Sequence, residues 1–425
     1  MKVLEGVVHQ QFYEFLTSHN LITSDQSGFR KLHSTSTALT HFIDQIQIDI
    51  DHGKCCGVLF LDLKKAFDTV NHGILLLKLQ SYGVNTTELL WFRSYLSGRY
   101  QRTTINGSLS DPRALTCGVP QGSILGPLLF ILYINDLPDS INLCNILLYA
   151  DDTALYYSHG DPSEIETVLN RELSVISKWF QSNRLTLNAK KTKCMLFGTS
   201  KRLKNSNRLV IKIADETIEH VNVFKYLGVY LDSVLSFSDH FDHLSSKINS
   251  RLAILGRASR YLNTKLLLIL YKALILPHFD YCDTVWDSCA KKFKTRLQTL
   301  QNRALRIVHK RDRHTPVMEL HRLSKLQFLQ DRRTFHMGTF MYKATHNQLP
   351  MYITSKFTPA AQVHSHATRS ASTRSLYIPP SNTNYGKNSI SARGAVAWND
   401  VPQNIRTLPS LSLFKKSFFR HLTPP

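Results

Sequence analysis

The chain has 425 residues, and its composition, 43% hydrophobic and 20% charged, is that of an ordinary globular protein rather than a disordered one. A formal net charge of +21 indicates a polyanionic partner, either nucleic acid or an acidic membrane surface. The longest apolar stretches are too short or too interrupted to cross a bilayer, and the N-terminus has no signal-peptide pattern. Both facts argue against a membrane protein and for an intracellular location.

Taken in chain order, the first 231 residues alternate helix and strand patterns. Apolar residues recur at helical spacing in residues 33–51, and residues 57–61 form an apolar run of buried-strand length that leads into Asp62. Asn106-Gly107 suits a tight turn, which predicts a hairpin over residues 100–114. Further helices are predicted at 72–97, 128–137 and from Pro162 onward, and further strands at 145–149, 153–157, 193–197 and 224–231.

From about residue 238 the pattern changes to helices rich in Leu, Ile, Lys and Arg, which continue to about residue 347. Ser, Thr, Asn and Pro then become frequent over residues 360–388, before a partly apolar closing segment at 397–422. The sequence therefore predicts a mixed α and β part, a helical part and a basic, loosely structured tail.

The positive charge is concentrated in the last third of the chain. Residues 290–425 contain 23 Lys and Arg against 4 Asp and Glu, whereas residues 1–289 contain 29 against 27. One alternative is a solvated surface that only keeps the protein soluble, but solubility does not require such one-sidedness. The seven cysteines show neither a disulfide framework nor paired CxxC half-sites, which argues against a zinc site.

Two carboxylate sites follow apolar strands. Asp62 ends the first strand, and Asp151-Asp152 lie in the turn of the later hairpin. A strand buries its middle, so carboxylates at its end lie at the rim of the sheet, where oxygen ligands suit Mg²⁺. They could instead be ordinary turn aspartates. Adjacent carboxylates repel unless a cation or a proton lies between them, however, which favours the metal-site interpretation.

Several stretches resemble the successive motifs of reverse transcriptases, in the right order. Their residues resemble the versions found in non-LTR (LINE-type) retrotransposons. The three most specific are FLDLKKAFD at 60–68, GVPQGSILGP at 118–127 and YADD at 149–152. Three further stretches agree with them: QSGFRK at 26–31, LNAKKT at 187–192 and FKYLG at 224–228. The resemblance covers about residues 3–231, and residues 398–402 and 414–416 are similar, less specifically, to the C-terminal end of such open reading frames.

The resemblance implies an α+β fold: a right-hand polymerase with an antiparallel-sheet palm, partial fingers, a helical thumb and a basic C-terminal region. The expected domains are a reverse transcriptase domain at 1–231, a helical, thumb-like basic region at 232–347 and a basic C-terminal region at 348–425. Because the first motif lies almost at residue 1, the endonuclease domain that precedes it in such elements is expected to be missing, together with part of the fingers.

The resemblance also implies roles for single residues. The catalytic, metal-binding carboxylates would be Asp62, Asp151 and Asp152, and Lys191, with Lys190 as its rival, would donate a proton near the triphosphate. Phe67 would be the steric gate that excludes a ribose 2′-hydroxyl, unless it is a simple core residue. The remaining substrate-binding residues would be Arg30, Lys31, Gln121 and Gly122, and the primer grip would include Phe224, Leu227 and Gly228.

The implied activity is that of an RNA-directed DNA polymerase with two Mg²⁺ ions, for which Mn²⁺ is a possible substitute. Its partners would be an RNA template, a DNA primer and deoxynucleoside triphosphates, in the nucleus, the cytoplasm or both. Residues 290–345, with 14 Lys and Arg against 3 acids, would hold the template–primer duplex through its phosphates. Two alternatives stay open: a truncated, inactive nucleic-acid-binding remnant of such an element, and a telomerase- or maturase-like host polymerase.

Overall fold

The structure is a computed structural model that describes residues 2–363 and 374–423. The chain packs into two compact units. The first, called here the sheet unit, consists of Met1–Ser34, Cys55–Leu196 and Asn205–Val221, and the second, the helical unit, of Thr35–Lys54, Phe197–Lys204 and Asn222–Pro425. Among the described residues, no helix combines the length and the apolar character that crossing a membrane requires.

The first part of the chain carries helices α1–α7: Lys2–Ser18, Thr35–Asp51, His72–Ser81, Thr86–Leu96, Leu125–Tyr133, Pro162–Ser182 and Ser200–Lys204. Helices α8–α14 follow at Ser238–Ala258, Thr264–Leu274, Leu276–Asp280, Asp283–Trp286, Lys291–His309, Val317–Ser324 and Leu329–Thr345. Helices α15–α20 are Met351–Thr354, Ala360–Val363, Asn384–Asn388, Ile390–Asp400, Gln403–Arg406 and Leu411–Leu422. The helix predicted over 72–97 is two helices, because Gly83 takes a φ of +87° that ends the first.

Strands β1–β8 are Cys55–Leu61, Tyr100–Gln101, Thr104–Ile105, Ser108–Leu109, Arg113–Ala114, Asn145–Tyr149, Asp152–His159 and Lys193–Phe197. Strands β9–β13 are Lys212–Ile213, Glu216–Thr217, Glu219–His220, Val223–Tyr226 and Val229–Asp232. The hairpin predicted over 100–114 is confirmed, with positive φ angles at Asn106 and Gly107. The single strand predicted at 224–231 is wrong: positive φ at Leu227 and Gly228 turns it into the β12–β13 hairpin.

The centre of the sheet unit is a sheet with strand order β11-β8-β1-β7-β6. β1 and β7 pair antiparallel from Cys55↔His159 to Leu61↔Thr153, and β6 pairs antiparallel with β7. Every residue of β1 is buried. The predicted α+β class with an antiparallel-dominated sheet is confirmed.

Helix α6 covers this sheet. A capping residue fixes where the helix begins, and a glycine of β1 lets it pack closely on the sheet. The Asp161 side chain accepts a hydrogen bond from the Ser163 N–H at 2.9 Å, which caps the helix as predicted. Gly57 of β1 allows close approach, because a Cβ there would lie 2.3 Å from Ile165 and 2.8 Å from Leu169 of α6. The buried face of α6 therefore rests directly on the middle of β1.

The core of the helical unit includes the end of the chain. Trp398 of α18 and Phe414 and Phe418 of α20 are buried, and they cluster with Tyr342 of α14. The prediction of a loosely structured tail is therefore wrong for residues 374–423, while residues 364–373 lie outside the described part. The reason is that large apolar side chains spaced along two capped helices outweigh the polar residues between them.

Candidate active site

The three predicted carboxylates lie at the same end of the sheet. β1 ends at Leu61, which pairs with Thr153 of the antiparallel strand β7, so Asp62, the residue after β1, lies next to Asp152, the first residue of β7. Tyr149 pairs with Asp152 across the β6–β7 hairpin, which leaves Ala150 and Asp151 as its two-residue turn. The register of the sheet, rather than proximity along the chain, therefore brings Asp62 to Asp151 and Asp152.

Asp62 is held by a second segment of the chain. Its Oδ2 accepts a hydrogen bond from the Asn188 side-chain amide at 3.0 Å, and its backbone carbonyl accepts one from the Asn188 N–H at 2.8 Å. The Asp62 N–H donates to the hydroxyl of fully buried Thr192 at 3.3 Å. The motif around Asn188 thus orients the first carboxylate, a role that the sequence reasoning did not assign.

The hairpin turn needs an uncommon backbone conformation. Ala150 has a φ of +54°, in the left-handed region, which costs a residue with a Cβ roughly 1–2 kcal/mol. Tight two-residue hairpin turns require such angles, because they match the twist of the flanking strands. The turn places Asp151 and Asp152 in succession at the rim.

The electrostatics of the site follow first from burial and then from the neighbouring like charges. Burial, and then the neighbouring Asp62, raise the pKa of Asp151. Burial, followed by the charges of Asp151 and Asp62, raises the pKa of Asp152 to about 6, although this residue keeps contact with solvent. A cation bound among such carboxylates is favourable, because its attraction offsets both their mutual repulsion and the cost of their desolvation.

The donor set fits a hard divalent cation. Carboxylate oxygens are the protein ligands that Mg²⁺ prefers, and this ion keeps waters and substrate phosphate oxygens as further ligands. Among residues 2–363 and 374–423, no three His, Cys, Asp or Glu side chains stand close enough to hold a metal ion by themselves.

Phe67 lies in a 3-10 turn, Ala66–Asp68, just beyond Asp62. Its half-buried ring stacks on Phe130 of α5 at 4.2 Å between centroids and meets the Phe29 ring edge-on at 6.3 Å. One face of the ring is therefore fixed against the core, and the ring is held in a defined position. This geometry suits a steric gate, and the role of Phe67 stays a prediction.

The Gly/Pro-rich loop at 118–122 packs against the Phe67 turn. Gly118 has a φ of +87°, and a Cβ there would lie 2.9 Å from the Asp68 carbonyl oxygen. The Gln121 amide donates to Asp68 Oδ1 at 2.8 Å, whereas Gly122 has open space around it. Gln121 thus borders a polar cleft of about 750 Å³ that is also lined by Lys65.

The predicted basic residues of the sheet unit have different surroundings. Arg30 donates hydrogen bonds to the backbone carbonyls of Thr23 at 2.5 Å and Gln26 at 2.9 Å, and so stabilises the loop that contains it. Lys31 lies with its ammonium 5.4 Å from the centre of the Tyr13 ring. Lys191 is exposed, as is its rival Lys190. Their roles at the triphosphate stay predictions.

The predicted primer-grip residues belong to the helical unit. Phe224 lies half-buried in β12, and Leu227 and Gly228 form the turn of the β12–β13 hairpin. The Tyr281 hydroxyl donates to the Leu227 carbonyl at 2.8 Å, and a Cβ on Gly228 would lie 2.9 Å from the Tyr281 ring. The hydrogen bond to Leu227 and the ring contact at Gly228 together hold this turn in place.

A cationic surface lies beside this hairpin, and the sequence reasoning missed it. His243, Lys247 and Arg251, called here the α8 stripe, are spaced one helical turn apart on the same face of α8. The His243 ring lies 4.8 Å from the Tyr230 ring, over which Lys225 also lies at 5.9 Å. The i, i+4, i+8 spacing of basic residues is the signal that could have found the stripe.

The ionisable groups of this surface influence each other's pKa values. Burial lowers the pKa of His243, and the charges of Lys225 and Lys247 lower it further. Burial also lowers the pKa of His278 of α10, with added effects from Lys247, Arg251 and His243. One region of the helical unit therefore combines the cations Lys225, Lys247 and Arg251 with two imidazole rings that can take up protons, a pattern typical of phosphate-binding surfaces.

Comparison with known proteins agrees with these features. Residues 1–231 match the family of reverse transcriptases (RNA-dependent DNA polymerases). The chain is similar to the probable RNA-directed DNA polymerase from transposon X-element of Drosophila melanogaster, with 28% identity over 355 residues, 80% of this chain and 38% of that relative. It is also similar to the RNA-directed DNA polymerase from mobile element jockey of the same species, with 26% identity over 72% of this chain and 34% of the relative.

The chain spans less than two fifths of the length of these two relatives. Among solved structures, apo telomerase from Candida tropicalis aligns with a TM-score of 0.42 and 12% identity, over 78% of this chain and 53% of that one.

Proposed function

Because this chain belongs to the reverse transcriptase family, we propose that it is the RNA-directed DNA polymerase part of a retrotransposon protein. The predicted resemblance to reverse transcriptases of non-LTR retrotransposons is confirmed by the family match and by the similar relatives. The observation that carries the proposal is the sheet register that brings Asp62 next to Asp151 and Asp152. The reaction would add deoxynucleotides to the 3′-hydroxyl of a DNA primer on an RNA template.

Divalent metal ions are general cofactors of this family. We propose two Mg²⁺ ions, with Mn²⁺ as a possible substitute, held by Asp62, Asp151 and Asp152. When bound, such ions lower the pKa of the attacking hydroxyl and stabilise the charge of the leaving pyrophosphate. The proposal is supported by the burial of Asp152 and by the neighbouring charges of Asp151 and Asp62, which together raise the pKa of Asp152 to about 6.

The chain's own residues would select and orient the nucleotide. The ring of Phe67 would exclude a ribose 2′-hydroxyl, because its stacking on Phe130 prevents it from moving aside. Gln121 and Gly122 would line the nucleotide and template, since the space at Gly122 admits a close neighbour. Arg30 and Lys31 would face the triphosphate, and Lys191 would protonate the leaving group.

The helical unit would hold the template–primer duplex. We propose that Phe224, Leu227 and Gly228 contact the primer, and that the α8 stripe and the basic residues of 290–345 bind phosphates without reading sequence. In this proposal residues 1–231 form the reverse transcriptase domain, 232–347 the thumb-like region and 348–425 a basic C-terminal region. Copying of this kind would take place in the nucleus, the cytoplasm or both.

The test is extension of a DNA primer on an RNA template with Mg²⁺, with Asp151→Ala as the inactive variant. Asp215→Ala is the matched control, because Asp215 is an exposed aspartate in the same unit, next to the β9–β10 hairpin. Extension by the wild type and by Asp215→Ala but not by Asp151→Ala would support the proposal. Duplex binding by all three proteins without any extension would contradict it and favour a protein that only binds nucleic acid.

A further inference from the structure

The segment at residues 25–27 adds to the sheet beyond its edge strand β6. Leu148 of β6 donates its N–H to the Asp25 carbonyl at 2.9 Å, and Ser27 donates its N–H to the Leu148 carbonyl at 2.8 Å. Gln26 thereby pairs with Leu148 as a parallel bridge. The QSGFRK motif thus lies directly alongside the strand that leads into the Asp151-Asp152 turn.

Beyond the end of β6, the side chain of Gln26 forms hydrogen bonds with the backbone of the next residue, Ala150. Its Oε1 accepts a hydrogen bond from the Ala150 N–H at 3.0 Å and one from the Gly28 N–H at 2.7 Å. Its Nε2 lies 3.5 Å from the Ala150 carbonyl oxygen, to which it donates. Gln26 is completely buried. A primary amide suits this position, because it offers an acceptor and a donor to the two backbone groups of one residue.

Gly28 completes the contact with the turn. A Cβ at this position would lie 2.3 Å from the Ala150 nitrogen and 2.9 Å from its Cα. Only a glycine therefore allows the segment to approach the turn this closely. Gln26 and Gly28 together enclose Ala150, whose left-handed conformation determines where the chain places Asp151 and Asp152.

We infer that Gln26 is a positioning residue: its amide holds the Ala150 turn and so sets the positions of the Asp151 and Asp152 carboxylates. The catalytic consequence rests on the proposed function, whereas the hold on the turn is testable without it. Partners that orient metal-binding side chains typically change metal affinity or activity by about 10–100-fold when they are replaced.

The first measurement is backbone hydrogen exchange of the free protein. Gln26→Leu keeps the volume and removes the hydrogen bonds, whereas Gln26→Glu keeps an acceptor for the Ala150 N–H. The control is Gln301→Leu in the helical unit, where a completely buried amide donates to the Tyr271 hydroxyl at 3.2 Å.

We expect Gln26→Leu to speed exchange at Ala150 by about tenfold, the effect of losing one to two hydrogen bonds. Gln26→Glu should keep most of the protection, and Gln301→Leu should leave exchange at Ala150 unchanged. Unaltered exchange at Ala150 in Gln26→Leu would overturn the inference, whatever the polymerase assay shows.

The second measurement separates positioning from general stability. We expect the Mg²⁺ concentration for half-maximal single-nucleotide incorporation to rise about tenfold in Gln26→Leu, with the duplex dissociation constant unchanged. Gln301→Leu should lower the melting temperature without moving the Mg²⁺ requirement. An unchanged Mg²⁺ requirement in Gln26→Leu would overturn the catalytic part. Failure of the wild type to extend would instead refute the proposed function, and the exchange result alone would then decide whether Gln26 holds the turn.

Discussion

Asn188 donates its side-chain amide to Oδ2 of Asp62 at 3.0 Å, and its backbone N–H donates to the Asp62 carbonyl at 2.8 Å. These two contacts fix both the strand end and the carboxylate that it carries. The Asn188 side-chain amide bonds to Oδ2 of Asp62 and leaves Oδ1 without a hydrogen bond from Asn188. The pair therefore links the LNAKKT motif to the metal-binding role proposed for Asp62.

Replacing Asn188 by Leu should lower the rate of single-nucleotide incorporation by about 10–100-fold, because Asp62 loses the donor that orients it. Single-turnover kinetics at saturating Mg²⁺ measure this. Asn170→Leu is the control, since Asn170 makes a comparable bond to the Val210 carbonyl at 2.9 Å without contacting an aspartate of the site. Equal rates in Asn188→Leu and the wild type would contradict the role.

Replacing Phe67 by Ala should reduce the preference for deoxynucleotides over ribonucleotides by about 10–100-fold, the range that one steric contact typically controls. The reason is that the ring, stacked on Phe130, occupies a fixed position. The ratio of kcat/KM for dNTP and rNTP measures the effect. Phe67→Tyr keeps the ring and should keep the preference; if Phe67→Ala keeps it too, Phe67 is a packing residue.

Duplex binding should weaken steeply with salt, and Lys247→Glu should weaken it at every salt concentration for any sequence. Removing one phosphate contact should make the slope of log K against log salt shallower by about one. Fluorescence anisotropy with a labelled RNA–DNA duplex measures both quantities. Lys212→Glu is the control, because Lys212 is an exposed lysine of the sheet unit. A flat salt dependence of the wild type would refute phosphate binding.

Duplex binding should tighten as the pH falls. Burial and the neighbouring cations lower the pKa values of His243 and His278, so both rings are neutral at pH 7.5 in the free protein. Duplex phosphates favour the protonated rings and raise these pKa values, so binding takes up protons and strengthens toward pH 5.5. A one-unit rise in pKa corresponds to about a tenfold gain in affinity.

The double variant His243→Gln/His278→Gln tests this prediction, because it removes both titrating rings and keeps polar side chains. It should flatten the affinity profile between pH 7.5 and 5.5, measured at constant ionic strength. The exposed His52 provides the control variant His52→Gln, whose profile should follow that of the wild type. A profile that keeps its slope in the double variant would assign the pH dependence to other groups.

Replacing Trp398 by Ala should lower the free energy of unfolding by about 3–5 kcal/mol, the usual cost of removing a large buried ring. Trp398 is 2% exposed, and its indole N–H donates to the Arg374 carbonyl at 3.1 Å. Urea unfolding followed by circular dichroism measures the change. Val396→Ala, on the exposed side of the same helix, should cost much less. A small effect of Trp398→Ala would mean that the C-terminal helices contribute little to the core.

Local patterns in the sequence determined most of the secondary structure and the location of the candidate site. Apolar alternation and turn residues depend on near neighbours along the chain, so the strand before Asp62 and the Asp151-Asp152 hairpin were predictable. The order of the motifs then identified the family, because six short matches in sequence are far more specific than any one of them.

The tertiary structure decided which residues support that site. Gln26 and Ala150 are 124 residues apart, and Asn188 and Asp62 are 126 apart, so no local pattern indicates that they bond. The path of the chain likewise packs residues 35–54 into the helical unit and brings Phe414 and Phe418 into one cluster with Trp398. Hydrogen bonds and apolar contacts depend on distance in space, and distance in space is set only when the whole chain has folded.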